Sequence, residues 1–179
     1  MKAMKSRPMI ALAALAAATL GAGLASAQDS ISALKGHDSN APVDVSADRI
    51  EVQDRADRAI FAGNVKVRQA SLSLDTERLT VAYSSGGGIQ IRRLDAAGGV
   101  VVRSPSETAR GNFGIYDLDK KLITLVGDVQ LRRAGSQVMG SRLVIDLQSG
   151  RAVIDGGPSG VGQNGGRVTG HFTVPKRDR

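Results

Sequence analysis

From Val43 onward the chain alternates apolar and polar residues with a period of two. Val43 and Val45 are interleaved with Asp44 and Ser46, Ile50 and Val52 with Glu51 and Gln53, and Val65 and Val67 with Asn64, Lys66 and Arg68. The same alternation runs through Leu72 and Leu74, Leu79 and Val81, Ile89 and Ile91, Val129 and Leu131, and Leu143, Ile145 and Leu147. A period of two puts successive side chains on opposite faces of an extended chain, so each run predicts a half-buried β-strand. Turn signals separate the runs: Asp54 to Asp57, Ser84 to Gly88, Gly98-Gly99, Asp117 to Lys121, Ser149-Gly150 and Gly156-Gly157-Pro158. No stretch beyond residue 27 carries the i, i+3, i+4, i+7 apolar stripe of a helix, and the fold class expected is all-β.

The strands also repeat. Ala47 to Tyr83 aligns without a gap onto Gly111 to Leu147 at an offset of 64, with AIFAGNVKVRQA (Ala59 to Ala70) over ITLVGDVQLRRA (Ile123 to Ala134). Partial copies occur at GGVVVR (Gly98 to Arg103) and RAVIDG (Arg151 to Gly156). Gly63, Gly98, Gly127 and Gly156 are thereby spaced 35, 29 and 29 residues apart. Repeats of this length built from short strands imply stacked β-layers around one shared apolar interior. A glycine interrupting an apolar strand at the same place in each copy marks a bulge or corner where the strand bends. Inward positions are almost all Val, Leu and Ile, which suit strands and close packing.

The N-terminus reads differently. Lys2, Lys5 and Arg7 precede an uncharged Ala/Leu-rich stretch, Met9 to Ala25, and Ala25-Ser26-Ala27 has the small-x-small form accepted by signal peptidase. Residues 1–27 are therefore expected to be a cleaved signal peptide. A flexible Ser/Ala/Asp-rich lead-in is expected over 28–41, the β-domain over 42–175 and a basic tail over 176–179. Three of the 24 basic residues lie in the leader, so the rest carries 21 against 17 acidic groups, a charge of +4 in place of +7. With no Cys and only two His, the chain offers no thiolate zinc site, disulfide, cysteine nucleophile or His-rich metal centre, and no metal or cofactor is expected. Three Phe, two Tyr and no Trp argue against a base-stacking nucleic-acid surface. The acidic residues fall mainly in turns or on outward positions, and neither a Gly-x-Ser-x-Gly elbow nor a phosphate-binding loop is present, so an enzyme is not expected.

The phrases ADRIEV (Ala47 to Val52), Gly-(Asn/Asp)-Val (Gly63 to Val65 and Gly127 to Val129), Tyr116-Asp117-Leu118 and RVTGHFTVP (Arg167 to Pro175) carry a resemblance to the OstA-like family of periplasmic lipopolysaccharide-transport proteins. It spans about Pro42 to Pro175. The resemblance implies an open, twisted antiparallel β-jellyroll of stacked short-strand repeats. It also implies a place in the periplasm of a Gram-negative bacterium, in a bridge that carries lipopolysaccharide from the inner to the outer membrane. Partners implied are lipopolysaccharide through its lipid A, an inner-membrane anchored jellyroll at one edge and an outer-membrane translocon jellyroll at the other. Head-to-tail self-association is allowed, and nucleic acid is not a partner.

Site residues follow from the alternation and the resemblance together. An acyl-chain groove is expected from Val43, Val45, Val52, Phe61, Val102, Ile115, Tyr116 and Leu118, the resemblance pointing most directly at Val43, Val45, Tyr116 and Leu118. Docking edges are expected at the first strand, Val43 to Val52, through Val43, Val45 and Ile50. The last strand, Arg167 to Val174, supplies the second edge through Val168, Phe172 and Val174. Unpaired edge strands invite pairing with a neighbouring sheet. The basic residues Lys66, Arg68, Arg132 and Arg133 suit phosphorylated sugar heads. A related jellyroll docking on an outer-membrane barrel, and a structural adaptor without cargo, stay open as alternatives at this point.

Overall fold

The computed structural model describes residues 37–157 and 166–173. The expected signal peptide, the lead-in up to residue 36, Val174 and the basic tail lie outside the described residues. Ten strands form one antiparallel sheet: β1 (Val43–Ser46), β2 (Arg49–Gln53), β3 (Arg58–Gln69), β4 (Leu72–Ser84), β5 (Gln90–Arg103), β6 (Glu107–Asp117), β7 (Leu122–Arg133), β8 (Ser136–Asp146), β9 (Arg151–Asp155) and β10 (Thr169–His171). The six strands β3 to β8 run in sequence order, each paired with the next through a hairpin. A single turn of 3-10 helix, Asp54–Ala56, connects β2 to β3.

Each long strand is broken near its middle by a shift of register. The shifts fall at Ala62/Val65, Asp75/Arg78, Ala97/Val100, Arg110/Phe113 and Val126/Val129. These breaks line up and fold the sheet over on itself. Gly63 and Asn64 both adopt positive φ (80° and 45°), and so do Gly127 and Asp128 (82° and 47°). A left-handed pair at this point gives the bend, and a β-carbon on Gly63 would lie 2.5 Å from Asp48 Oδ2. The corners expected at Gly63, Gly98 and Gly127 are thus bulges, whereas Gly156 directly follows β9 instead of interrupting it.

The offset of 64 persists at the level of hydrogen bonds. Asn64 Nδ2 donates to Asp48 Oδ2 at 2.8 Å, and Asn112 Nδ2 donates to Asp128 Oδ2 at 3.1 Å. Asp48 and Asn112 are equivalent in the repeat, as are Asn64 and Asp128, so the two corners make the same bond with donor and acceptor exchanged.

Folding produces two facing halves with an aliphatic interior. On one half Val67, Leu74, Val102, Ala109 and Leu131 stand side by side on paired strands; on the other stand Val81, Leu94, Tyr116, Ile123 and Ile145. Leu79, Leu125 and Leu143, next to the fold line, have no exposed surface. Burying each such side chain stabilises the fold by roughly 1.5–3 kcal/mol.

At the sheet ends the sequence expectation needs correction. The first edge is two strands: β1 pairs one half of β3 and β2 the other, with a break at Ala47-Asp48 where the edge must turn the same corner as β3. Asp48 N–H bonds to the Gly63 carbonyl at that point (2.9 Å). The last edge is also double. β10 pairs β8 on one side of the corner and β9 pairs it on the other, so the RAVIDG repeat supplies half of an edge expected from Arg167 to Val174 alone.

Candidate functional site

The interior is the candidate site, and it is nearly closed. A cavity of about 20 Å³, enough for roughly one water molecule, lies between Val43, Val67, Leu74, Leu94, Val102 and Tyr116. Val43, Val102 and Tyr116 of the expected groove therefore do meet around one space. Val45, Phe61 and Leu118 are partly buried and pack against the same core. Ile115 also borders this cavity, between Gly114 and Tyr116, but not with an inward side chain. It alternates with the buried Gly114 and Tyr116 and opposes Asp95 and Thr124, which puts its side chain on the outer face.

Val52 and Ile50 occupy an informative position. They oppose Ala59 and Phe61 across the β2–β3 ladder, so they share the inner face, yet each is 56% exposed. At the far end Val168 and Phe172 are 45% and 67% exposed on either side of β10. Gly170, between them, opposes the inward Val138. The apolar inner face thus continues past the covered core to both sheet ends. Ile50, Val168 and Phe172 all lie on or beside an end strand, as expected of docking residues, while Val43 and Val45 are partly buried against the core.

Two buried polar side chains interrupt the aliphatic interior at the hairpin rim. Gln69, 3% exposed, has its whole hydrogen-bonding capacity in use. Its Oε1 accepts from Tyr116 O–H (3.0 Å) and His37 Nε2 (3.1 Å), and its Nε2 donates to the carbonyls of Ser39 and Ala41 (3.0 Å each). Two carbonyl neighbours require the amide nitrogen on that side, which fixes the orientation of the amide. Tyr116 joins the opposite half to this cluster, and burial pushes its hydroxyl above the ordinary phenol range. The stretch 37–41, expected to be flexible, is instead pinned over the rim by these bonds.

The second polar group is Glu107, 6% exposed, whose Oε1 lies 3.8 Å from Arg133 Nη1. Around it the apolar wall is Val102, Ala109, Leu131 and Ile145. Arg133 opposes Glu107 on β7 and is the repeat equivalent of Gln69. Lys66, Arg68 and Arg132 are exposed. Neither Gln69 nor Glu107 was anticipated as part of the interior. The signal was present in the alternation, which continues inward from Val65 and Val67 to Gln69, and from Ala109 back to Glu107.

On the other side of the opening, two hairpins carry matching carboxylate caps 29 residues apart. Asp117 Oδ1 accepts from Lys120 N–H (2.9 Å), and Asp146 Oδ1 from the N–H groups of Gln148 (2.8 Å) and Ser149 (3.2 Å). Hydrogen bonds from the Lys120 backbone and side chain hold the Asp117 carboxyl below its usual range. Those from Ser149 and Gln148 do the same for Asp146. Among the described residues no three His, Cys, Asp or Glu side chains gather as a metal site, and no helix is long and apolar enough to cross a membrane.

Comparison with known proteins agrees with this geometry. The chain is 34% identical over 156 residues to an uncharacterised protein of Rhizobium meliloti (strain 1021), covering 80% of this chain and 84% of that one. The crystal structure of LptH, the LptA-homologous periplasmic component of the lipopolysaccharide transport device of Pseudomonas aeruginosa, superposes with a TM-score of 0.67 at 18% identity. The match covers 77% of this chain and 99% of that one, and the shared fold is the open jellyroll. Residues 44–151, more than half the chain, match the model of the family described as LptA/(LptD N-terminal domain) LPS transport protein. A folded-over sheet with an aliphatic interior and two free ends is therefore the form taken here by a member of the LptA/(LptD N-terminal domain) family of lipopolysaccharide-transport proteins.

Proposed function

We propose that the protein is a periplasmic bridge component that shelters the acyl chains of lipopolysaccharide between its two halves and docks end to end with similar jellyrolls. The observation that carries this reading is the run of inner-face apolar residues out to both sheet ends, where Ile50, Val52, Val168 and Phe172 stand uncovered. A neighbouring sheet paired onto β2 or onto β9 and β10 would satisfy the edge backbone groups and cover these side chains in one step. The interior would then continue from one domain into the next. The partners are an inner-membrane anchored jellyroll at one end and an outer-membrane jellyroll at the other.

The cavity of about 20 Å³ is too small for an acyl chain, so loading requires the halves to part at the hairpin rim. Each CH₂ then sheltered returns about 0.8 kcal/mol, which offsets the aliphatic contacts given up. The same close packing favours a second reading, a structural adaptor that docks without cargo. Photo-crosslinking in the host cell separates the two. A crosslinking residue at Leu118 or Val102 is expected to capture lipopolysaccharide, and one at outward-facing Ile115 is not. Adducts at Ile115 but at neither inward position would overturn the groove. End-to-end association that persists with no adduct anywhere would establish the adaptor.

A further inference from the structure

Gln69 ends β3 on one half and Tyr116 stands near the end of β6 on the other, and the Tyr116 O–H donates to Gln69 Oε1 at 3.0 Å across the opening. The same Gln69 holds residues 37–41 through its amide nitrogen, bonded to the carbonyls of Ser39 and Ala41. Exposure alternates along this strap: His37, Ser39 and Ala41 are partly covered, and Asp38 and Asn40 face solvent. Asp38 folds it into one turn, its Oδ1 accepting from Asn40 N–H (3.0 Å) and its carbonyl from Ala41 N–H (3.3 Å). Directly after the turn, Pro42 leads into Val43, which lines the apolar cavity together with Gln69 and Tyr116.

The second copy of the repeat is built otherwise. Arg133 stands there in place of Gln69, its pair with Glu107 joins neighbouring strands of one half, and a polar concavity of about 470 Å³ lies between the β5–β6 and β7–β8 hairpins. The strap over Gln69 is also held at a loss. His37 Nε2 serves as donor to Gln69 Oε1 (3.1 Å), which leaves Nδ1 of the neutral ring as an acceptor, and that atom is buried without a partner among the described residues. Water satisfies it once the strap lifts.

We propose that residues 37–41 are a latch, which with Gln69 and Tyr116 keeps the two halves shut over the apolar interior and lifts to let an acyl chain enter. The proposal rests on the carrier reading above and adds to it the element that controls access. With the strap raised, Gln69 and the Tyr116 hydroxyl stand at an open rim where water replaces the partners they lose, and Val43 is freed from one side. The closed form competes with the ligand: apparent affinity for an acyl chain is the intrinsic affinity reduced by the fraction of molecules with the latch open. Weakening the latch therefore tightens binding, the opposite of what losing a contact to the ligand does.

Titration of the full chain with a dansyl-labelled fatty acid, read by fluorescence, tests the latch. Tyr116→Phe keeps the ring in the interior but removes the bond across the opening, and should bind the probe about fivefold more tightly than the wild type. Asp38→Ala touches only the solvent side of the strap, undoes its turn and should tighten binding about twofold. Amide exchange over residues 38–41 should quicken in both variants. Tyr83→Phe is the control: its hydroxyl bonds Asp54 within one half (3.4 Å), and its loss should leave affinity unchanged. Unchanged affinity in Tyr116→Phe and Asp38→Ala, with the wild type still binding, overturns the latch and leaves the carrier reading standing. Tightening in Tyr83→Phe equal to that in Tyr116→Phe overturns it as well, since the gain would then come from general loosening. A chain that binds the probe in none of these forms overturns both readings.

Discussion

Gln69 and Arg133 occupy the same place in two copies of one repeat, yet they close the rim in opposite ways. Gln69 is a neutral group with every donor and acceptor engaged, tying β3, Tyr116 of the facing half and residues 39–41 into one cluster. Arg133 is a partly exposed cation beside the buried carboxylate of Glu107, on the wall of a polar concavity. The aliphatic ranks beneath both are alike. The difference shows that the two copies share the stack and its corners while their rims differ, a neutral clamp in one and a charged pair beside an open concavity in the other.

The largest expected effect comes from undoing the clamp. Gln69→Ala leaves the Tyr116 hydroxyl and the carbonyls of Ser39 and Ala41 without their partner and should cost about 3 kcal/mol in denaturant unfolding. Amide protection of residues 37–41 should vanish with it. Arg133→Ala, at the equivalent place, should cost less, about 2 kcal/mol, because the arginine is 41% exposed and 3.8 Å from its partner, although it leaves the buried Glu107 carboxylate with one partner fewer. Equal losses at the two sites would erase the contrast.

The corners give a sharper comparison at smaller amplitude. Asn112→Ala and Asn64→Ala each remove the donor of one corner bond and should each cost about 1 kcal/mol, measured by urea unfolding. A much larger loss at either corner would mean that the exchanged bonds are not equivalent.

Acid probes the hairpins across the opening. Asp117 and Asp146 have carboxyls held below the unfolded value, so their contribution is present above the unfolded pKa and is lost as pH falls through the folded one. Amide exchange in the turns at 117–121 and 146–150 should therefore quicken below about pH 3.9. Asp146→Asn keeps an acceptor for Gln148 and Ser149 but removes the titration, so its turn should lose that pH dependence while the Asp117 turn keeps it.

The smallest effect concerns two alanines that also match across the repeat. Ala70 and Ala134 both sit at positive φ (47° and 44°) in rim hairpins. Replacing either by Gly relieves a left-handed strain and should raise stability by about 0.5 kcal/mol, seen as a small rise in Tm.

Most of the stack was legible in the sequence. Alternation from Val65 to Val67 and from Leu143 to Leu147 gives the strands, and the repeated Gly-(Asn/Asp)-Val gives the corners, because a bend of this kind demands left-handed residues that side chains advertise. The split of the first edge at Ala47-Asp48 was not legible, since a strand crossing a corner shows no change of period. The orientation of Ile115 was hidden for a related reason: Ile115 and Tyr116 are both apolar and both border the cavity, and only the pairing with Asp95 and Thr124 fixes which side chain points inward. Gln69 and Glu107 were passed over because polarity normally marks the outer face, and burial becomes tolerable only through partners more than twenty residues away in sequence.

The order of the strands has a mechanical consequence. Backbone hydrogen bonds in a sheet run across the strands, so here they lie along the direction that joins β2 at one end to β9 at the other. A pull between these ends loads the ladders in series, and the terminal strands would peel off one by one where a sheet gripped along its strands would have to shear many bonds together. Such a domain yields to tension at its two edges first, while the aliphatic centre around Leu79, Leu125 and Leu143 is the last part to feel the load.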